Sequence, residues 1–128
     1  MKIKTHTLID QKLCGTPVQV DSGRSRVELR TTRKMIVDET GLVHGGFIFG
    51  LADYAAMIAV NHPNVVLGAS EAKFIKPVKA DEKITAEAAV ENSQGKKQHV
   101  TVIVSNDQGK PVFTGTFTCF VLDKHVLE

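Results

Sequence analysis

The chain has 128 residues, which suits one domain with its own hydrophobic core, and we predict a single domain over residues 1–128. The formal net charge is only +2, with no Trp and one Tyr, so the composition gives little support to a nucleic-acid-binding protein. The N-terminus has no apolar run long enough for a signal peptide, and the run at 47–60 is broken by Asp53 and too short to span a membrane. We therefore expect a cytoplasmic protein with no membrane partner.

The N-terminal third predicts a β-hairpin. Residues 1–15 have a mixed pattern that fits either a short strand or a short helix. Apolar and polar side chains then alternate over Val18–Val20 and Arg26–Val37, which indicates two strands. The sequence Asp-Ser-Gly at 21–23 predicts the turn between these strands, and a polar loop at 38–41 leads to the next element.

The longest apolar run lies between Gly41 and Asn61 and contains one carboxylate, Asp53. The run is too long for a typical strand and rich in Ala, Leu and Met, so it predicts a helix that begins near Gly45 and Gly46. A helix that is apolar nearly all round is a buried helix. Because burying an unpaired carboxylate is costly or raises its pKa, we interpret Asp53 as a catalytic group.

The C-terminal half predicts an antiparallel meander. Alternation gives its sheet one apolar face, which we expect to curl around the central helix, so the predicted fold class is α+β. Gly115, inside the last strand, is predicted to mark a β-bulge. The predicted strands are residues 65–76, 82–92, 98–105 and 112–122.

The start and the middle of the predicted helix are too far apart to serve one reacting carbonyl. Amide groups at a helix start can stabilise a carbonyl oxygen that gains negative charge. Gly46 and Asp53 are seven residues apart, however, which is about 10.5 Å of helix. Two antiparallel helices related by a two-fold axis would bring the start of one beside the middle of the other, so we expect a homodimer. Pairing of two dimers into a homotetramer is left open.

The segment Val43–Asp53, with its His-Gly-Gly and later acid, and the segment Phe74–Val78 resemble the hotdog-fold acyl-CoA thioesterases, especially the phenylacetate-pathway type. The resemblance covers roughly residues 18–122. It implies a hotdog fold, an antiparallel sheet wrapped around one long helix. It also implies that this chain hydrolyses an acyl-CoA thioester and needs no cofactor beyond the coenzyme A of its substrate.

The same resemblance implies roles for individual residues. Asp53 would be the general base or the nucleophile, and Gly45 of the other subunit would supply the oxyanion N–H, with Gly46 beside it. His44 would shape the loop or touch the thioester. The family often carries Asn or Gln near the position of Asp38, where this chain has an acid, so positioning of water by an amide side chain is not expected here.

Several alternatives stay open. Asp53 could be a structural acid satisfied by backbone amides or by Tyr54, and the chain could bind an acyl-CoA without cleaving it, as the malonyl-CoA-responsive regulators of lipid synthesis do. Asp38 and Ser70 could line the substrate pocket or serve only their turn and strand. Lys76 could meet a nucleotide phosphate or be plain solvated charge. The cysteines and the remaining histidines show no ligand spacing, so no metal site is expected.

Overall fold

A computed structural model describes residues 1–128 and contains a six-stranded sheet and one long helix. The helices are Gln11–Cys14 (α1) and Gly45–Val60 (α2), with a short 3-10 helix at Arg33–Met35. The strands are Thr16–Asp21 (β1), Arg24–Arg30 (β2), Val65–Phe74 (β3), Lys83–Gln94 (β4), Lys97–Asn106 (β5) and Pro111–Val121 (β6).

All neighbouring strands are antiparallel, in the order β1-β2-β4-β5-β6-β3. The predicted hairpin β1-β2 lies at one edge, and the predicted meander β4-β5-β6 forms the centre. The strand that follows the long helix, β3, crosses to the other edge and pairs with β6. The sheet therefore has two free edges, β1 and β3.

The sheet wraps around α2, which contacts all six strands. Most residues that alternation assigns to the inner face of β4, β5 and β6 are buried, and most of those assigned to the outer face are partly or fully exposed, whereas β3 is exposed from Gly68 onward. This confirms the prediction of a single apolar sheet face on a central helix. The buried inner residues of β4, β5 and β6 are Ile84, Ala86, Ala88, Val100, Val102, Val104, Phe113, Phe117 and Cys119.

The predicted helix is confirmed, with clear boundaries at both ends. Its first residue is Gly45, preceded by His44 as the N-cap. Its C-cap is Asn61 in the left-handed region at φ 52°, whose N–H donates to the carbonyl of Met57 at 2.8 Å, and Pro63 follows. None of the helices has both the length and the apolar character needed to cross a membrane.

The prediction of one strand over Arg26–Val37 was wrong in its second half, because β2 ends at Arg30. The next residue, Thr31, is fully buried, and its hydroxyl contacts two carbonyl oxygens of the 79–82 segment at 2.9 Å each. The chain then turns into the 3-10 helix, so Val37 is 51% exposed although it shares the parity of the buried positions. The other predicted strand ends lie within two residues of the observed ones.

The predicted bulge at Gly115 was also wrong. Gly115 pairs in regular register with both neighbouring strands, and a bulge lies instead between Leu67 and Ala69 of β3. A Cβ atom at Gly115 would lie 2.9 Å from Cε1 of Phe117 and 3.1 Å from Cε1 of Phe113. The glycine therefore makes room for two buried aromatic rings.

Candidate functional site

Asp53 lies in the middle of α2 between two buried residues, Ala52 and Tyr54. Its Oδ1 atom is buried and accepts no hydrogen bond. Burial raises the pKa of the Asp53 carboxyl from 3.8 to about 6. A carboxylate without a partner in an apolar setting is uncommon in a structural role, because satisfied acids are the rule when buried.

Tyr54 does not satisfy this carboxylate. The Tyr54 ring stacks on the His6 ring with a centroid distance of 6.1 Å, and burial raises the pKa of the Tyr54 hydroxyl. No backbone amide donates to Asp53 Oδ1 either. Neither Tyr54 nor a backbone amide therefore satisfies Asp53 Oδ1, so this oxygen gives no support to a purely structural role for Asp53.

Two free thiols, Cys14 and Cys119, lie close enough to Asp53 that, besides burial, its charge raises their pKa values. Burial, and then the charge of Asp53, raise the pKa of Cys119 to about 12. The pKa of Cys14 is raised by burial and by the charges of Asp10 and Asp53. Both groups therefore stay protonated near neutral pH, and neither is a ready nucleophile. Sequence reasoning missed this proximity, since no spacing links the three residues.

His44 caps the start of α2 through its side chain. Its Nδ1 accepts a hydrogen bond from the N–H of Gly46 at 2.8 Å. This bond requires an unprotonated Nδ1, so the neutral ring carries its hydrogen on Nε2. The amide of Gly46, which the sequence predicted to contact substrate, is thus already engaged, while the exposed Nε2–H of His44 is free to donate.

Gly45 presents the free amide of the helix start. It is the first residue of α2, and its N–H makes no hydrogen bond with any other residue of the described chain 1–128. An unpaired N–H at the positive end of a helix is a donor for an anion or for an oxygen that gains negative charge. Among the two glycines, Gly45 therefore fits the oxyanion role and Gly46 fits a structural role.

The free amide and the free carboxylate are separated along the same helix. Gly45 and Asp53 are eight residues apart, about 12 Å of helix rise. An acid or base must lie within about 3 Å of the atoms it serves, so the two groups of one chain do not reach the same carbonyl.

The other predicted binding residues, Asp38, Ser70 and Lys76, are exposed, unlike Asp53. Asp38 is exposed, and its Oδ1 accepts hydrogen bonds from both the hydroxyl and the N–H of Thr40. These bonds lower the pKa of Asp38. Ser70 is exposed on the inner face of β3 opposite Phe117, and Lys76 is exposed just beyond that strand. The pocket roles of these three residues stay predictions.

Phe74, which sequence reasoning missed, lies directly beside Gly45. Its ring packs edge-on against Phe113 with a centroid distance of 5.1 Å, and Phe113 and Phe117 pack on Phe49 of α2. Phe74 is 56% exposed, although it belongs to this aromatic cluster. Alternation with Ala72 is a sequence signal that puts Phe74 on the inner face, but alternation does not distinguish a core residue from a site residue.

Residues 40–113 match the model of the thioesterase superfamily. This region contains α2 with His44, Gly45 and Asp53, together with Phe74. The match therefore covers more than half of the chain and includes the residues that geometry brings into the candidate site.

Three comparisons with individual proteins extend this match. The structure of the uncharacterized protein PH1136 from Pyrococcus horikoshii is 50% identical, with a TM-score of 0.98, over 100% of this chain and 98% of that one. A methylthioribose-1-phosphate isomerase of Aquifex aeolicus is 50% identical over 96% of this chain, and the transcription factor FapR of Caldanaerobacter subterraneus is 25% identical over 98%.

The chain spans only 27% of the Aquifex protein and 62% of the FapR protein. The names of those longer proteins therefore describe molecules with additional sequence. The fold, by contrast, is common to the superfamily, and the family resemblance read from the sequence is confirmed at that level. This chain belongs to the thioesterase superfamily, and its six antiparallel strands around one long helix form the hotdog fold.

Proposed function

We propose that this protein hydrolyses an acyl-CoA thioester as a homodimer, with Asp53 of one subunit acting beside the Gly45 amide of the other. The observation that carries this proposal is the buried, unpartnered Oδ1 of Asp53, whose carboxyl has a pKa raised to about 6. A group with this pKa is mostly ionised at pH 7 and still basic enough to take a proton from water.

The reaction follows from these two groups. Asp53 removes a proton from a water molecule, whose oxygen attacks the thioester carbonyl carbon. The carbonyl oxygen becomes negative and accepts a hydrogen bond from the Gly45 N–H. Collapse of this intermediate breaks the carbon–sulfur bond and releases the carboxylic acid and the CoA thiol, which receives the proton. Direct attack by the Asp53 carboxylate, followed by hydrolysis of an anhydride, uses the same groups and stays an equal route.

The homodimer is proposed because the Asp53 carboxylate and the Gly45 N–H of one chain cannot reach the same thioester carbonyl. The free edge strand β3 supports it, since most of its side chains are exposed and its outer edge has no neighbouring strand. Pairing of two dimers into a tetramer, contacts of Ser70 and Lys76 with the CoA substrate, and a cytoplasmic location belong to the same proposal. It includes no cofactor besides the coenzyme A moiety and no metal ion.

A non-catalytic acyl-CoA-binding protein is the second candidate. It is favoured by the match to FapR, a protein named as a transcription factor. That match is 25% identical and covers 98% of this chain. The hydrolase is preferred here because a binding protein has no need of an unpartnered buried acid.

A panel of acyl-CoA thioesters separates the two candidates. Release of the CoA thiol is followed with a thiol reagent, and binding is followed by calorimetry with the same compounds. The hydrolase predicts turnover that disappears in Asp53→Asn while substrate still binds. Binding without turnover in the wild-type protein would reject hydrolysis and support the binding protein, and the absence of both would reject the two candidates together.

A further inference from the structure

The ring of Phe74 lies beside Gly45, the residue that carries the free amide at the start of α2. A Cβ atom built on Gly45 would lie 3.2 Å from Cε1, 3.5 Å from Cδ1 and 3.7 Å from Cζ of this ring. One ring edge therefore faces Gly45, while 56% of the residue is exposed. The Gly45 N–H and the exposed side of the Phe74 ring are therefore adjacent parts of the same surface.

We propose that Phe74 determines acyl specificity, contacting an uncharged, apolar acyl group beside the thioester carbonyl. This inference rests on the acyl-CoA site proposed above and assigns the substrate class of that site. The ring edge carries a positive partial charge, which also suits a neighbouring oxygen that gains negative charge.

The position of the ring is fixed by the core. Phe74 pairs with Phe113 in the β3–β6 register, and the two rings pack edge to face at 5.1 Å. Phe113 is fully buried and packs on Phe49 and Phe117. A ring held by a packed aromatic cluster loses little conformational freedom when a ligand covers its exposed side, so its contact favours binding.

The inner face of β3 carries no charge that would favour an acidic acyl group. Its residues opposite β6 are Ser70, Ala72 and Phe74. Glu71 and Lys73 pair with threonines of the outer face and point away. A carboxylate on the acyl group would therefore meet no cation on this face, and the proposed approach of Asp53 would add like-charge repulsion.

The test compares two acyl-CoA thioesters of similar size, butyryl-CoA and malonyl-CoA, in the full-length protein. We expect the wild type to prefer butyryl-CoA by about 100-fold in kcat/KM. Phe74→Ala should lower kcat/KM for butyryl-CoA about tenfold and leave that for malonyl-CoA within about twofold, with Phe74→Leu between the wild type and the Ala variant. An unchanged ratio in Phe74→Ala, or a wild type that prefers malonyl-CoA, would overturn the inference.

Phe120→Leu is the matched control, because it removes a ring from β6 that packs over Gly68 and is near Lys97 rather than Gly45. It should leave both substrates unchanged. Calorimetry with the non-hydrolysable thioether butyl-CoA keeps the inference testable without turnover. If the wild type hydrolyses nothing but Phe74→Ala weakens this binding about tenfold, the hydrolase fails and the specificity role of Phe74 stands. Equal binding by both proteins, or no binding at all, would reject the role.

Discussion

The loop before α2 and the middle of α2 each carry an aspartate, and the two aspartates differ in exposure and in the direction of their pKa shifts. Asp38 is exposed, and two hydrogen bonds from Thr40 lower its pKa. Asp53 is partly buried, its Oδ1 is fully buried without a partner, and burial raises its pKa to about 6. The difference shows that a carboxylate acquires basicity near neutral pH by losing partners and water.

The same contrast holds for two adjacent amides. The N–H of Gly46 is bonded to His44 Nδ1, whereas the N–H of Gly45 is free. In each pair, the satisfied group belongs to the local structure and the unsatisfied group is available to a substrate. Three pairs of variants test this division in four experiments, in decreasing order of expected effect, and the aspartate pair serves for both activity and stability.

Exchange of each aspartate for asparagine tests the contrast between the acids. Asp53→Asn should reduce kcat/KM for a hydrolysed acyl-CoA by about 10³-fold, because the amide cannot accept the proton of water. Asp38→Asn should stay within about twofold of the wild type, since its carboxylate serves the turn. Thiol release under identical conditions measures both. A large loss in Asp38→Asn would show that the turn acid belongs to the site.

Gly45→Pro tests the free amide. Proline fits the first position of a helix and removes only the N–H that has no partner, and His44 already has the extended conformation that a following proline requires. We expect kcat to fall about 100-fold. Gly45→Ala adds a Cβ near Phe74 but keeps the N–H, so it should be the far more active of the two. Equal losses would assign the effect to crowding.

The stability of Asp53→Asn should depend on pH with a defined sign. The folded pKa of about 6 exceeds the unfolded 3.8, so the ionised wild-type side chain lowers the free energy of unfolding as pH rises between these values. With a discount for its partial exposure, Asp53→Asn should be more stable by about 1–2 kcal/mol at pH 8 and nearly equal to wild type at pH 4.

Urea unfolding at one fixed protein concentration measures this effect. Asp38→Asn is the control of opposite sign. Its lowered folded pKa stabilises the fold above the unfolded value, so this variant should be less stable than wild type at pH 8, and the difference should fade as pH falls through the lowered pKa. Destabilisation of Asp53→Asn at pH 8 would mean that the carboxylate has a partner.

The smallest expected effect is the loss of stability when the His44 N-cap of α2 is removed. His44→Ala removes the acceptor for the Gly46 N–H and should lower the free energy of unfolding by about 1 kcal/mol. Asn is a good N-cap, so His44→Asn should recover most of this loss. If activity falls in both variants while His44→Asn is stable, the exposed Nε2–H acts on the substrate. If activity follows stability, His44 serves only as the cap.

The hairpin and the meander followed from sequence because one buried face imposes alternation on a strand, as in β4, β5 and β6. The long helix followed from the length and composition of the apolar run around Asp53, which is buried on most sides. The 3-10 helix at Arg33–Met35 did not, since its cause is the long-range bonding of Thr31 to the 79–82 segment. The misassigned bulge at Gly115 has a similar cause, two rings that meet only in the folded sheet.

The candidate site was predicted in part. Asp53 stood out because a lone acid in an apolar helix needs a reason, and the glycines stood out as the helix start. Residue patterns alone did not distinguish Gly45 from Gly46, because that distinction depends on the direction of the His44 ring. The assignment of the oxyanion N–H to Gly45 came only from the family resemblance. Sequence reasoning also missed Phe74 and the two thiols near Asp53, which reach the site from β3, β6 and α1 through tertiary packing alone.

Subunit complementation tests the central claim most directly. Asp53→Asn and Gly45→Pro proteins, each nearly inactive, are mixed after reversible dissociation so that subunits exchange. If each site combines Asp53 of one subunit with Gly45 of the other, a mixed dimer has one intact site, and the mixture should regain about one quarter of wild-type activity. If the mixture stays inactive although mixed dimers form, the two groups do not act across the subunits and the composite site is contradicted.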